Sequence, residues 1–192
     1  MQLYGSLTSP YVRRLRVFAI EENIQFEFLN LNIFADQDRE TLVKLNPTRK
    51  IPMLVDGQQV VFDSNVIFRY LCQKLDLSVL SWQQENTLTL INSANDSLVE
   101  LLICQRSGFD TSEDKLFFNL QNERVQGVLV ELNKAVEHGE FDNYNYLAVS
   151  LYCLIDWIIF RNLTDLSQFS ALLNFHKQHA QRQSNLVTAP QD

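Results

Sequence analysis

Three hydroxyl residues, Ser6, Thr8 and Ser9, sit between a short apolar segment at Leu3 and Tyr4 and an amphipathic run through Val12, Leu15, Val17 and Ile20. That order predicts strand, turn, helix. Ser9 is read as the N-cap and Pro10 as the first helical residue, where the missing N–H costs nothing and the fixed φ already suits a helix. The Ser9 hydroxyl then lies where backbone N–H groups and the positive end of the helix dipole converge, which is a site for an anion. Two basic clusters, Arg13, Arg14 and Arg16 in the same helix and Arg49 with Lys50 further on, stand out in a chain of net charge −7. Solvated surface charge and a seat for an anionic small molecule both account for them.

The chemistry available elsewhere is narrower. The three cysteines, Cys72, Cys104 and Cys153, are far apart, each in an apolar run and in no CxxC or Cys/His spacing, so they read as reduced core residues. His138, His176 and His179 lack partners at metal-ligand spacing, and no metal site is expected. The acidic balance argues against general nucleic-acid or anionic-membrane binding. The longest apolar stretch, 147–160, is too short to span a bilayer and contains Asp156, and no signal peptide is read before the first strand. A cytoplasmic protein is the expectation.

The elements that must position these residues follow from periodicity. After the first helix, 26–31 reads as a strand and 36–45 as a short polar helix ending before Asn46-Pro47. Asn23 is suited to end the first helix in a left-handed conformation. Segments 51–55 and 59–62 flank Asp56-Gly57, a hairpin signal, and a helix over 64–75 follows. The order is β-α-β-α-β-β-α over residues 1–78. From residue 84 to 192 Pro thins out and helical spacing takes over: helices over 85–106 and 113–136, an almost wholly apolar helix over 146–160 capped by Asn145, a surface helix over 165–178, and a tail from Arg182.

A small β-α-β-α-β-β-α domain followed by an all-helical bundle, with Ser9-Pro10 opening the first helix, Ile51-Pro52 the third strand and Asp63-Ser64 the third helix, resembles the cytosolic glutathione S-transferase family. Ser9-Pro10-Tyr11-Val12-Arg13 is similar to the S-P-x-V-R run of bacterial, serine-type members. The resemblance implies a thioredoxin-like N-terminal domain that binds glutathione, an all-α C-terminal helical bundle, and a homodimer. Arg49 stands where Gly is common in the family, Asp63 where Glu or Gln is common, and Ala148 where an acid completes the capping box of the central helix.

A thiol with an unperturbed pKa near about 8.5 is only a few per cent thiolate at neutral pH, so an enzyme using it must stabilise the sulfur anion. The resemblance makes Ser9 the catalytic donor to that sulfur, with Thr8 and Ser6 as nearby substitutes. Local sequence favours a trans Ile51-Pro52 bond; the resemblance implies a cis one, with the Ile51 backbone pairing with the extended tripeptide and Lys50 meeting one of its carboxylates. Asp63 would take the ammonium and Ser64 the carboxylate of the γ-glutamyl end. Ser9, Asp63 and Ser64 are each equally explicable as helix caps. Thr8, Tyr11 and Arg13 are auxiliary candidates, Tyr11 beside an electrophile pocket expected near 102–109 and the tail. The first functional reading is therefore a transferase joining glutathione to a small hydrophobic electrophile, with glutathione as co-substrate. The second is a non-catalytic module that keeps the fold for protein partners. A thiol-transferase role is disfavoured because Ser9 stands where Cys would be needed.

Overall fold

Four short strands, β1 (Gln2–Gly5), β2 (Glu27–Asn30), β3 (Met53–Asp56) and β4 (Gln59–Phe62), build the N-terminal unit, and in β1 half-buried and buried side chains alternate. The computed structural model describes residues 1–33 and 35–191; Phe34 and Asp192, the last residue of the expected tail, lie outside them. The strands form one sheet of order β2-β1-β3-β4, with β1 parallel to β2 and antiparallel to β3, and β3 antiparallel to β4. One row across the sheet, Leu3, Leu54 and Val61, is buried on one face. The adjacent row, Tyr4, Met53 and Phe62, packs on the other face with Leu31 and Leu42.

Helix α1 (Pro10–Glu21) and helix α3 (Ser64–Leu75) pack together, with Phe18 and Phe68 edge to face at 5.2 Å between centroids. Helix α2 (Asp36–Leu45) supplies Leu42 to the opposite face. This is a thioredoxin-like α/β arrangement, as expected from the sequence. Its strands start or stop within about two residues of the expected ends, because a ladder begins only where two strands run side by side, which the periodicity of one segment does not reveal. At the end of β1 a Cβ on Gly5 would run into the Val12 side chain, so the strand-to-helix approach requires glycine there. Asn23 ends α1 at φ 55°, as expected.

The chain divides into two units, Met1–Val79 with Gln181–Asp192 and Leu80–Ala180. The tail, read from sequence as the end of the helical domain, groups with the first unit and carries a short helix α8 (Gln183–Val187) that packs on α1. The second unit is helical: α4 (Trp82–Arg106), α5 (Leu116–Glu137), α6 (Tyr146–Arg161) and α7 (Ser170–His179). Helix α4 begins three residues before the expected start because Ser81 and Gln84 form a reciprocal capping box. Helix α7 begins later than expected because Asp165 binds the backbone N–H and hydroxyl of Ser167, holding a turn in place of a first helical turn, and α5 begins at Leu116, three residues later than expected.

Asn145 caps α6 through the N–H groups of Leu147 and Ala148, and α6 is buried almost all round. Asp156, the one charge in its apolar run, meets His176 of α7 at 2.6 Å, and the Tyr152 ring stacks on that imidazole at 5.0 Å. Among the described residues no helix is long and apolar enough to cross a membrane. Cys72 and Cys153 are buried; burial first, and then the charge of Glu22, pushes the Cys72 thiol up to about 11.

Candidate functional site

Sheet register decides where the three expected site turns lie. Tyr4 pairs with Met53 and Met53 with Phe62, so the exit of β1, the entry of β3 and the exit of β4 share one end of the sheet. The turn 6–9, the Lys50-Ile51-Pro52 segment and the Asp63-Ser64 corner all leave from that end. The N-termini of α1 and α3 open there too, bringing the positive ends of two helix dipoles to one end of the sheet.

The first turn is knitted by its own hydroxyls. Ser6 Oγ and Thr8 Oγ1 are 3.2 Å apart, the Ser9 N–H donates to the Ser6 carbonyl at 3.2 Å, and the Leu7 N–H donates to Asn30 Oδ1 at 3.2 Å. Ser9 is the N-cap of α1 in an extended conformation, its Oγ accepting from the Val12 N–H at 3.3 Å. A hydroxyl that accepts at a cap still has a proton to give. Capping and donating to an anion are therefore compatible roles for the same atom.

The second turn is held by a residue that sequence reasoning passed over. Asn46 is 1% exposed. Its Nδ2 donates to the Lys50 carbonyl at 2.7 Å and its Oδ1 accepts from the N–H and hydroxyl of Thr48. The signal was present in Asn46-Pro47, a pair that favours a turn, but it said nothing about which carbonyl the amide would hold. Arg49 adopts φ 57°, a left-handed conformation that explains why glycine suits this position; a non-glycine residue tolerates it at a cost of about 1 kcal/mol. Ile51-Pro52 is cis, as the resemblance implied. Lys50 is exposed, Pro52 is buried, and Ile51 is half-buried against the Leu31, Leu42 and Met53 cluster, just ahead of the β3 ladder.

At the third corner Asp63 has φ 74° and ψ 131°, unusual for a residue with a side chain. Its Oδ1 accepts from the N–H groups of Asn65 and Val66 at 2.9 and 3.2 Å. This occupies one carboxylate oxygen and leaves Oδ2 to accept elsewhere. Ser64 is buried at the first position of α3. The end of the sheet thus combines two helix N-termini, a lysine ammonium and a carboxylate, a charge pattern complementary to a small zwitterionic peptide.

The auxiliary candidates separate. Thr8 lies in the hydroxyl turn, and Tyr11 is half-buried with the Arg14 guanidinium 5.0 Å from its ring centre. Arg13 and Arg14, at 3% and 0% exposure, are neither solvated charges nor an open seat for an anion. Arg13 donates instead to the Asn185 carbonyl and Thr188 hydroxyl on the C-terminal segment. The helical unit has its own cavity of about 250 Å³, lined by Leu98, Leu101, Leu102, Gln105, Asn122 and Leu163 among others; two of these come from the 102–109 segment expected to border an electrophile. Among the described residues no group of three or more His, Cys, Asp or Glu could hold a metal ion.

Residues 3–78 match the glutathione S-transferase N-terminal domain family. An uncharacterized GST-like protein of Escherichia coli, YibF, is 28% identical over 175 residues, 85% of this chain and 84% of that protein. Glutathione S-transferase 3 of Zea mays is 35% identical over 142 residues, 73% of this chain and 61% of its own length. The crystal structure of a glutathione S-transferase from Methylobacillus flagellatus with glutathione bound superposes with a TM-score of 0.86 at 20% identity, covering 99% of both chains. A glutathione transferase family member from Pseudomonas fluorescens, also with bound glutathione, gives 0.83 at 23% identity over 100% of this chain and 99% of that one. Residues 3–78 thus carry the glutathione S-transferase N-terminal domain, and the fold of the chain is that of the solved glutathione S-transferase structures.

Proposed function

We propose that the chain is a glutathione transferase that binds the tripeptide at the shared end of the sheet and activates its sulfur for attack on a small hydrophobic electrophile. The observation that carries this reading is the convergence of the Ser9 turn, the Ile51-Pro52 segment and the Asp63-Ser64 corner at one end of the sheet. Glutathione bound in solved structures of the same fold supports the choice of ligand. Ser9 donates its hydroxyl proton to the sulfur while its oxygen caps α1. The Ile51 backbone pairs with the peptide, Lys50 meets a carboxylate, and Asp63 and Ser64 fix the γ-glutamyl end. Pro52 shapes the turn that presents Ile51.

Ser9 acts by stabilising the thiolate and not as a base, since its hydroxyl is too weak an acid to ionise. One charge-assisted hydrogen bond contributes roughly 1.5 to 3 kcal/mol, or about one to two pKa units on the bound thiol. Holding thiolate and electrophile side by side supplies the remaining rate enhancement by orientation.

Titration of bound glutathione by its ultraviolet thiolate absorbance tests the reading directly. Ser9→Ala is expected to raise the bound thiol's pKa by about one to two units and to lower kcat/KM at neutral pH roughly tenfold. An unchanged pH profile would remove Ser9 from the mechanism. Absence of glutathione binding by calorimetry at millimolar levels would remove the enzyme. The outcome then left is a module that keeps the fold for protein partners.

A further inference from the structure

Helix α8 lies along α1 and holds it near both ends. At the C-terminal end of α1, the Glu21 carboxylate accepts from Arg182 Nε at 3.2 Å and Nη2 at 2.6 Å, and also from the Ser184 hydroxyl. At the first turn, Arg13 Nη2 donates to the Asn185 carbonyl at 3.1 Å and Arg13 Nε to Thr188 Oγ1 at 3.4 Å. Thr188 in turn donates to the Ser184 carbonyl at 2.7 Å, which ties the acceptor into its own helix. The contacts are deep, with Arg13 at 3%, Asn185 and Thr188 at 1% and Ser184 at 2% exposure. Because 182–184 meet the end of α1 and 185–188 its start, the two helices run antiparallel.

Arg13 also closes the turn that carries Ser9. Its backbone N–H donates to the Ser9 carbonyl at 3.0 Å, the first i→i−4 bond of α1, beside the Val12 N–H on the Ser9 hydroxyl at 3.3 Å. A helix's first turn is where helices fray, and a catalytic hydroxyl there must be held to within about half an ångström to act. A buried guanidinium gripped from a second helix supplies that restraint, since its planar fork spans two acceptors in a fixed geometry.

We propose that the C-terminal segment 182–188 is a positioning strap that, through Arg13, fixes the first turn of α1 and aims the Ser9 hydroxyl. Arg13 is a positioning residue; it acts through Ser9 and does not touch the sulfur. The proposal rests on the reading of Ser9 as the thiol's donor, so its test has one arm that needs no glutathione.

In the full-length protein, Thr188→Val removes one acceptor and Arg13→Lys keeps the charge while losing the fork. Hydrogen exchange at the Val12 and Arg13 amides is expected to accelerate about tenfold in both, with amides in the middle of α3 unchanged. The bound glutathione thiol is expected to titrate roughly half to one unit higher. The kcat/KM deficit at neutral pH should shrink once the pH exceeds that value, a recovery that a general loss of structure would not produce. First-turn exchange equal to wild type in both variants overturns the strap, as does faster exchange with an unmoved thiol titration. Should Arg13→Lys fail to fold by circular dichroism, Thr188→Val decides. If the wild-type protein binds no glutathione, the Ser9 reading falls by itself; faster first-turn exchange in the variants then still supports the strap, and unchanged exchange refutes it.

Discussion

Asp63 caps α3 and, in the proposed function, also meets the tripeptide. Its backbone takes φ 74°, its Oδ1 caps α3 through two N–H groups, and its charge stands at the end of the sheet where a peptide ammonium would enter. Asparagine caps helices as well as aspartate and is among the residues most tolerant of positive φ. Asp63→Asn therefore separates the two roles. The melting temperature is expected to stay within about two degrees of wild type while the Kd for glutathione rises roughly tenfold, the loss of one charge-assisted contact of about 1.4 kcal/mol. An unchanged Kd by calorimetry would mean that the ammonium is met elsewhere. The caps at Ser9 and Asn145 could be read from the sequence because an N-cap is a local bond between a side chain and N–H groups two or three residues on. The roles of Arg13 and Asn46 could not, because their partners, Asn185, Thr188 and the Lys50 carbonyl, were invisible until the chain had folded.

Between elements, the β3–β4 hairpin is pinned to α3 by a side chain in its own turn. Asp56 accepts from Tyr70 at 2.6 Å and from the Lys74 ammonium, and Lys74 first and Tyr70 second hold its carboxyl below the ordinary 3.8. A carboxyl whose folded pKa is depressed contributes stability that is present above its unfolded value and lost as pH falls through the folded one. The melting-temperature difference between wild type and Asp56→Asn is thus expected to be constant near neutral pH and to disappear in the acid range, as the pH falls through the lowered pKa of this carboxyl. A difference that persists unchanged into that acid range would assign the effect to the hydrogen bonds alone. Asp56-Gly57 was readable as a hairpin from its turn chemistry, but the tether to α3 depends on which face of that helix meets the turn.

For the whole molecule, the exposed apolar side chains bear on assembly. Trp82 is 87% and Leu116 77% exposed. A homodimer, the assembly implied by the family resemblance, would cover such surface, and sedimentation at micromolar concentration is expected to return twice the 22.4 kDa chain mass. A monomer mass would contradict it. The order of strands and helices up to the C-terminal segment, and the helical character of the second part, were determined by the sequence, because periodicity, caps and turn residues act over a few positions and are written where they act; the thioredoxin-like form of the first part was what the family resemblance implied. Tertiary structure alone decided three things: that the site turns share one end of the sheet, that buried Arg13 serves α8 and not an anion, and that the tail is a helix returning to α1. Each depends on contacts between residues far apart in the chain, up to 175 positions for Arg13 and Thr188, and no local pattern encodes the partner.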